Sequence, residues 1–298
     1  MLAAAERTRH PRDVTHPSVR SQQKPALDVT HTLVPNTDPQ PSDMTRRGDG
    51  SAGDADYGRI GTGYSSYRQP DPQIMTSITD ALGAAATVLN VGAGAGSYEP
   101  LDREVVAIEP SAAMRAQRPA HLSVAVDGVA EHLPFPDGRF DAAMATFTVH
   151  QWANLDQGLA EMRRVTRGPV IILTCDPLLV QDFWLNEYAP EVLAAEARRY
   201  PPLDRIRLLL GGTVDEVSVP IPFGCKDGFN EAYYGRPERL LDEGARLACS
   251  AWSFVDGGTS REYVDHLRRD LEHRQWDMRH EYLRTQPAFN GSLRLVVA

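Results

Sequence analysis

The run Thr87-Val88-Leu89-Asn90-Val91-Gly92-Ala93-Gly94-Ala95-Gly96-Ser97 sets an apolar, β-branched segment directly against three glycines at alternate positions. Its first half reads as a buried parallel strand. Glycines after it let the backbone turn tightly and meet a ligand with no Cβ in the way. Such a turn at the end of a central strand is a place for a nucleoside-containing cofactor. Further on, Arg103-Glu104-Val105-Val106-Ala107-Ile108-Glu109-Pro110 carries a second strand, Val105 to Ile108, ending in an acid and a proline. Glu109 at its tip can take both hydroxyls of a ribose, because an ionised carboxylate offers acceptors and no donors. His150 lies past a later strand, at the same edge. An imidazole there either takes a proton from a reacting group or only packs and hydrogen-bonds.

The elements that must hold these residues follow a regular pattern. Asp71-Pro72 starts a helix with an N-cap acid and an N1 proline; Ile74, Ile78 and Leu82 mark its buried face and Gly83 ends it. Ser111 to Gln117 reads as a helix after the second strand, with Met114 on the face that could touch an adenine. His121 to Ala125 reads as a third strand and Ala142 to Thr146 as a fourth. Asn154 caps a helix with Leu155, Leu159, Met162 and Val165 in helical period, and the all-apolar Val170 to Leu173 is a fifth strand. Alternating strand and helix is the pattern of a doubly wound, mostly parallel α/β sheet.

Four stretches in this order, VLNVGAGAG, VVAIEP, AEHLPFPDGRFD, and ATFTVHQW with the EMRRV helix and RGPVIIL strand, make residues 57–176 resemble a class I S-adenosylmethionine-dependent methyltransferase. The likeness is to the small-molecule "type 11" group. It implies a Rossmann-like sheet of seven strands, the last antiparallel beside the sixth, with a helical lid. It also implies S-adenosyl-L-methionine as cofactor. By that resemblance Gly92, Ala93, Gly94 and Gly96 form the turn along its methionine portion, and Glu109, followed by Pro110, holds the ribose. Ala130 with Glu131 meets the adenine edge, and Ala145 and Thr146 face the amino acid end. Arg68 and one of Tyr57 or Tyr64 look like a segment closing over the methionine carboxylate, for which a guanidinium is apt. His150 is the candidate base. A fold-retaining regulatory protein and, more weakly, an NAD-dependent oxidoreductase are the other readings.

Two departures from the family stand out. Too few residues separate Gly96 from Val105 for a full helix, so one turn is expected there. Val129 occupies the position where relatives carry an Asp for the adenine amino group, and Asp127 is displaced by two.

Beyond Asp176-Pro177 the βα pattern stops. Val180 to Tyr188, Glu191 to Tyr200, Leu203 to Leu210, Glu238 to Trp252 and Arg261 to Leu283 read as helices. Val214 to Ile221 reads as a strand and Ser292 to Val297 as the terminal one. The expected organisation is a disordered tail over 1–55, within which Met44 is an alternative start, and a methyltransferase domain over 56–298. That domain divides into a cofactor-binding half (56–176), a lid with the sixth strand (177–288) and the last strand (289–298).

A net charge of −9 over 298 residues argues against nucleic acid as the main partner, and no run is apolar for long enough to cross a membrane. The expected partner is a small molecule, hydrophobic or aromatic, in the cytoplasm. Cys175, Cys225 and Cys249 are too scattered for a disulfide framework or a CxxC metal site, so no metal is expected; a thiol-based chemistry such as arsenite methylation is a remote alternative.

Overall fold

The computed structural model describes residues 63–298. The expected tail over 1–55, and Tyr57, lie outside the described residues. The chain opens with a short helix, α1 (Tyr64–Tyr67), and then α2 (Pro72–Leu82), whose N-cap Asp71 accepts the Gln73 N–H at 2.9 Å and whose Ile74, Ile78 and Leu82 are buried. Strands β1 (Thr87–Val91), β2 (Glu104–Ile108), β3 (Ala142–Thr146) and β4 (Val170–Cys175) pair in parallel in the order β2-β1-β3-β4. Between them lie α3 (Ala112–Arg115) and α4 (Leu155–Val165), the latter capped by the Asn154 side chain accepting from Gln157 N–H.

After β4 come α5 (Pro190–Arg199), α6 (Leu203–Leu210) and β5 (Asp215–Ser218). A two-stranded ribbon, β6 (Ile221–Pro222) with β7 (Ala288–Phe289), brackets α7 (Glu243–Leu247), α8 (Gly257–Glu272) and α9 (Gln275–His280). Finally β8 (Leu293–Val297) slides antiparallel between β4 and β5. The sheet therefore has six strands, in the order β2-β1-β3-β4-β8-β5, and not the expected seven. The missing strand is His121 to Ala125. Only Val126 reaches β2, in a single parallel bridge to Ile108, while Val124 is 91% exposed and has no face to bury.

Both faces of the sheet are covered. Leu89, Val91, Ala143, Ala145 and Ile172 pack with the apolar stripes of α4 and α6, whereas Val88, Met144, Ile171 and Leu173 pack with α2 and with the aromatic interior of the C-terminal region. That second core is continuous, so the region after β4 shares one hydrophobic interior with the sheet. Much of it is built of single 3-10 turns. Val180–Asp182, Trp184–Glu187, Pro237–Leu241, Ser250–Phe254 and Glu281–Thr285 stand where longer α-helices were expected.

Candidate functional site

The glycine turn leaves β1 with Gly92, Gly94 and Gly96 all at positive φ, +68°, +52° and +94°. A Cβ on Gly92 would lie 2.1 Å from Thr148 Oγ1, so the loops that follow β1 and β3 meet here with only a hydrogen between them. No helix follows. The connection from Gly96 to β2 is turns only, closed by two buried side chains. Tyr98, itself at φ +63°, hydrogen-bonds Asp227, and Glu99 accepts two N–H groups of Arg118 at 2.9 and 2.8 Å. Glu99 also accepts from Asn90 Nδ2 at 3.0 Å, leaving the buried Asn90 Oδ1 without a partner.

Glu109 sits at the tip of β2 and is 7% exposed. One carboxylate oxygen accepts the Gly94 N–H at 2.8 Å, the other the Ser111 N–H at 2.7 Å. Burial pushes its carboxyl up, while those two N–H groups and the guanidiniums of Arg115 and Arg118 pull it back. Each oxygen keeps a lone pair for a further donor, the requirement for a vicinal diol. Pro110 is exposed beside it. Ala130 is buried, and the Glu131 side chain accepts the Asn154 N–H at 2.9 Å at the head of α4. Asp127 is drawn outward to Arg115 at 2.9 Å. Met114 packs under Gly94.

Ala145 is fully buried and Thr146 ends β3. Phe147 then takes φ +52°, a left-handed conformation seldom adopted by a bulky residue, and turns its ring into a small cavity of about 30 Å3 that is partly open to solvent. Tyr64 and Arg68 line that cavity from the N-terminal side, His150 from the β3 loop, and Tyr200 and Phe229 from the C-terminal region. Arg68 is already paired with Asp227 and lies over the Phe147 ring at 5.1 Å. His150 is 5% exposed, stands 4.6 Å from the Tyr200 ring, and its Nδ1 has no partner. Burial, with Arg199 and Arg68 nearby, holds its pKa well below the usual range, so the ring is neutral.

The structure thus gathers two groups. Gly92–Gly96 and Glu109 form one, while Ala130 packs beside Gly158 of α4 and Trp152. Arg68, Tyr64 and His150 form the other, joined to the first through Thr148. Sequence reasoning missed Asn90, Glu99, Glu196 and Arg199. The last two share a turn of α5 inside the cavity, a convergence no local spacing announces. All three cysteines are buried, and burial pushes Cys225 up to about 12 and the other two further, which makes them unreactive thiols. Among the described residues no cluster of His, Cys, Asp or Glu is gathered for a metal, and no helix is long and apolar enough to cross a membrane.

Residues 89–173 match the family described as "Methyltransferase domain". No curated protein matches. Of solved structures, a candidate methyltransferase from an antibiotic biosynthesis pathway of Anabaena variabilis is 28% identical, with a TM-score of 0.74 over 78% of this chain and 99% of that one. An S-adenosylmethionine-dependent methyltransferase of Thermotoga maritima is 14% identical, TM-score 0.48, over 80% and 94% of the two chains, a distance at which it says nothing of this chain's chemistry. The family match covers β1 through β4, the segment that carries the glycine turn and Glu109, and sets the nicotinamide reading aside. Residues 89–173 are a methyltransferase domain of the type 11 group, and the protein is an S-adenosylmethionine-dependent methyltransferase, an enzyme whose cofactor is S-adenosylmethionine.

Proposed function

We propose that the enzyme methylates a small molecule held in the cavity between Phe147, His150 and α5. The carrying observation is the loop after β3: Thr148 meets Gly92 of the glycine turn, and Phe147 and His150 of the same loop line the cavity, which supports a group in the cavity lying near the cofactor end of the sheet. Gly92, Ala93, Gly94 and Gly96 hold the methionine portion, and Asn90 Oδ1 accepts from its ammonium. Glu109, beside Pro110, takes the ribose hydroxyls. Ala130 and Glu131 border the adenine, and Ala145 and Thr146 the amino acid end. Tyr64 and Arg68 close the entrance.

The cofactor supplies an electrophilic methyl on a sulfonium. The chain's own part is to align the acceptor in line with it and to exclude water. Residues 56–176 serve the cofactor, and 177–288 cover the acceptor, with β8 tying the cover to the sheet. An interior of Phe147, Tyr200 and Phe229 suits an aromatic acceptor.

Metabolite extract incubated with enzyme and isotopically labelled S-adenosylmethionine should yield a labelled small molecule by mass spectrometry. Label confined to protein or nucleic acid would overturn the proposal. Glu109→Ala should weaken S-adenosylhomocysteine binding about 100-fold by calorimetry, the loss of two charge-assisted hydrogen bonds. Ser250→Phe, which fills the cavity, should leave that binding intact and abolish turnover.

A further inference from the structure

We infer that the acceptor is a hydroxylated aromatic and that Glu196, on α5, takes the hydroxyl proton as the methyl is transferred, a reading that rests on the cavity being the acceptor site.

The geometry is a fixed carboxylate. Trp252 Nε1–H donates to Asn230 Oδ1 at 3.0 Å, which sets the orientation of that amide; Asn230 Nδ2 then donates to Glu196 Oε2 at 2.6 Å. Asn230 and Trp252 are 2% and 6% exposed, so neither can swing away. One oxygen of Glu196 is anchored and the side chain lines the cavity. A base oriented by a second group, itself oriented by a third, is the arrangement that proton abstraction needs.

The surroundings favour this carboxylate over His150 as the proton's destination. Both face the guanidiniums of Arg68 and Arg199. A proton arriving on neutral His150 would create a buried charge, whereas on Glu196 it removes one. Burial accordingly raises the Glu196 carboxyl above the usual range, against the opposing pull of Asn230 and the two arginines. Around it, Tyr200 at the C-cap of α5, Cys175 on β4 and Cys249 after α7 are pushed upward and stay neutral, and Glu231 is a second acid that feels its charge. Those guanidiniums also favour an oxygen that gains negative charge as its proton leaves. His150, neutral and with Nδ1 unpartnered, is a hydrogen-bonding group that orients the ring substituent.

The balance is simple. The acceptor oxygen bonds to the methyl carbon as the carbon–sulfur bond breaks with its pair going to sulfur. The hydroxyl proton passes to Glu196, leaving an aryl methyl ether and a neutral carboxyl that water later deprotonates.

The test uses full-length enzyme, labelled S-adenosylmethionine, and a panel of phenols from unsubstituted phenol and catechol to 4-nitrophenol, which is ionised near neutral pH. Glu196→Gln keeps an acceptor for Asn230, and its fold is checked by S-adenosylhomocysteine calorimetry. Its kcat should fall about 100-fold or more on the un-ionised phenols and less than about threefold on 4-nitrophenol, and Glu196→Asp should recover part of the loss. The inference is overturned if wild type methylates no phenol of the panel, if Glu196→Gln is unimpaired or loses all phenols equally, or if His150→Gln alone shows the selective loss. Failure of the underlying site assignment looks different: Ser250→Phe would then retain turnover.

Discussion

The two halves of this molecule solve the problem of positioning groups in opposite ways. Up to β4, a few glycines and one acid stand at the ends of parallel strands, and main-chain N–H groups from Gly94 and Ser111 do the holding. After β4, single 3-10 turns are knitted by side chains. Trp184 and Trp276 pack edge to face at 5.4 Å, Trp184 Nε1 donates to the Tyr234 carbonyl at 2.9 Å, and Arg284 joins Glu238 to Asp277. A strand edge fixes geometry through backbone that every sequence possesses. The region of turns after β4 fixes it through particular aromatic and charged residues, and should be the more sensitive half to their loss.

Trp276→Ala is the sharpest way to break that contrast. It empties a fully buried site in the region after β4 and should cost about 4 kcal/mol, read by urea unfolding. If the comparison holds, S-adenosylhomocysteine binding survives once the protein is folded. Gly92→Ala is the counterpart on the sheet side, adding a left-handed strain and a clash with Thr148, about 3 kcal/mol together, and it should remove cofactor binding at the same time.

Glu231 ties the turn Asn230–Tyr233 to the head of β8 by accepting the Ser292 N–H and hydroxyl, and burial raises its carboxyl to about 7. Its folded pKa lies above the unfolded value, so the folded state binds more protons and stability falls as pH rises from about 4.5 to about 7, by up to about 3 kcal/mol. Glu231→Gln should abolish that slope in paired urea titrations across pH 4.5–8. An unchanged slope would mean the acid is not the seam's titrating group. Asn154→Ala, removing one helix cap on the sheet side, should cost only about 1 kcal/mol by the same measurement.

The sheet half was legible where burial on two faces writes itself into sequence. Val170 to Leu173 is apolar throughout and is a central strand; Asp71-Pro72 and Asn154 cap helices where expected. His121 to Ala125 misled because a short apolar stretch does not reveal whether a neighbour covers it. The long helices expected after Asp176 broke into 3-10 pieces because residues three apart sit on one face in either helix type. In the proposed site, Gly92 and Glu109 were readable because they stand at strand ends. Glu196, Asn230 and Trp252 were not, since three segments far apart in the chain converge to make one hydrogen-bonded line.

Phe147 has a consequence for how this enzyme could change. At φ +52° a phenylalanine holds about 1–2 kcal/mol of strain that a glycine would not, yet its ring supports Arg68 and meets Phe229 at 5.3 Å. Selection for heat resistance alone would favour a small residue here, and selection for turnover would restore the ring. Under the proposed acceptor site, stability and acceptor recognition are traded against each other at this single position, so thermostable variants that alter it should arrive with a widened and less discriminating cavity.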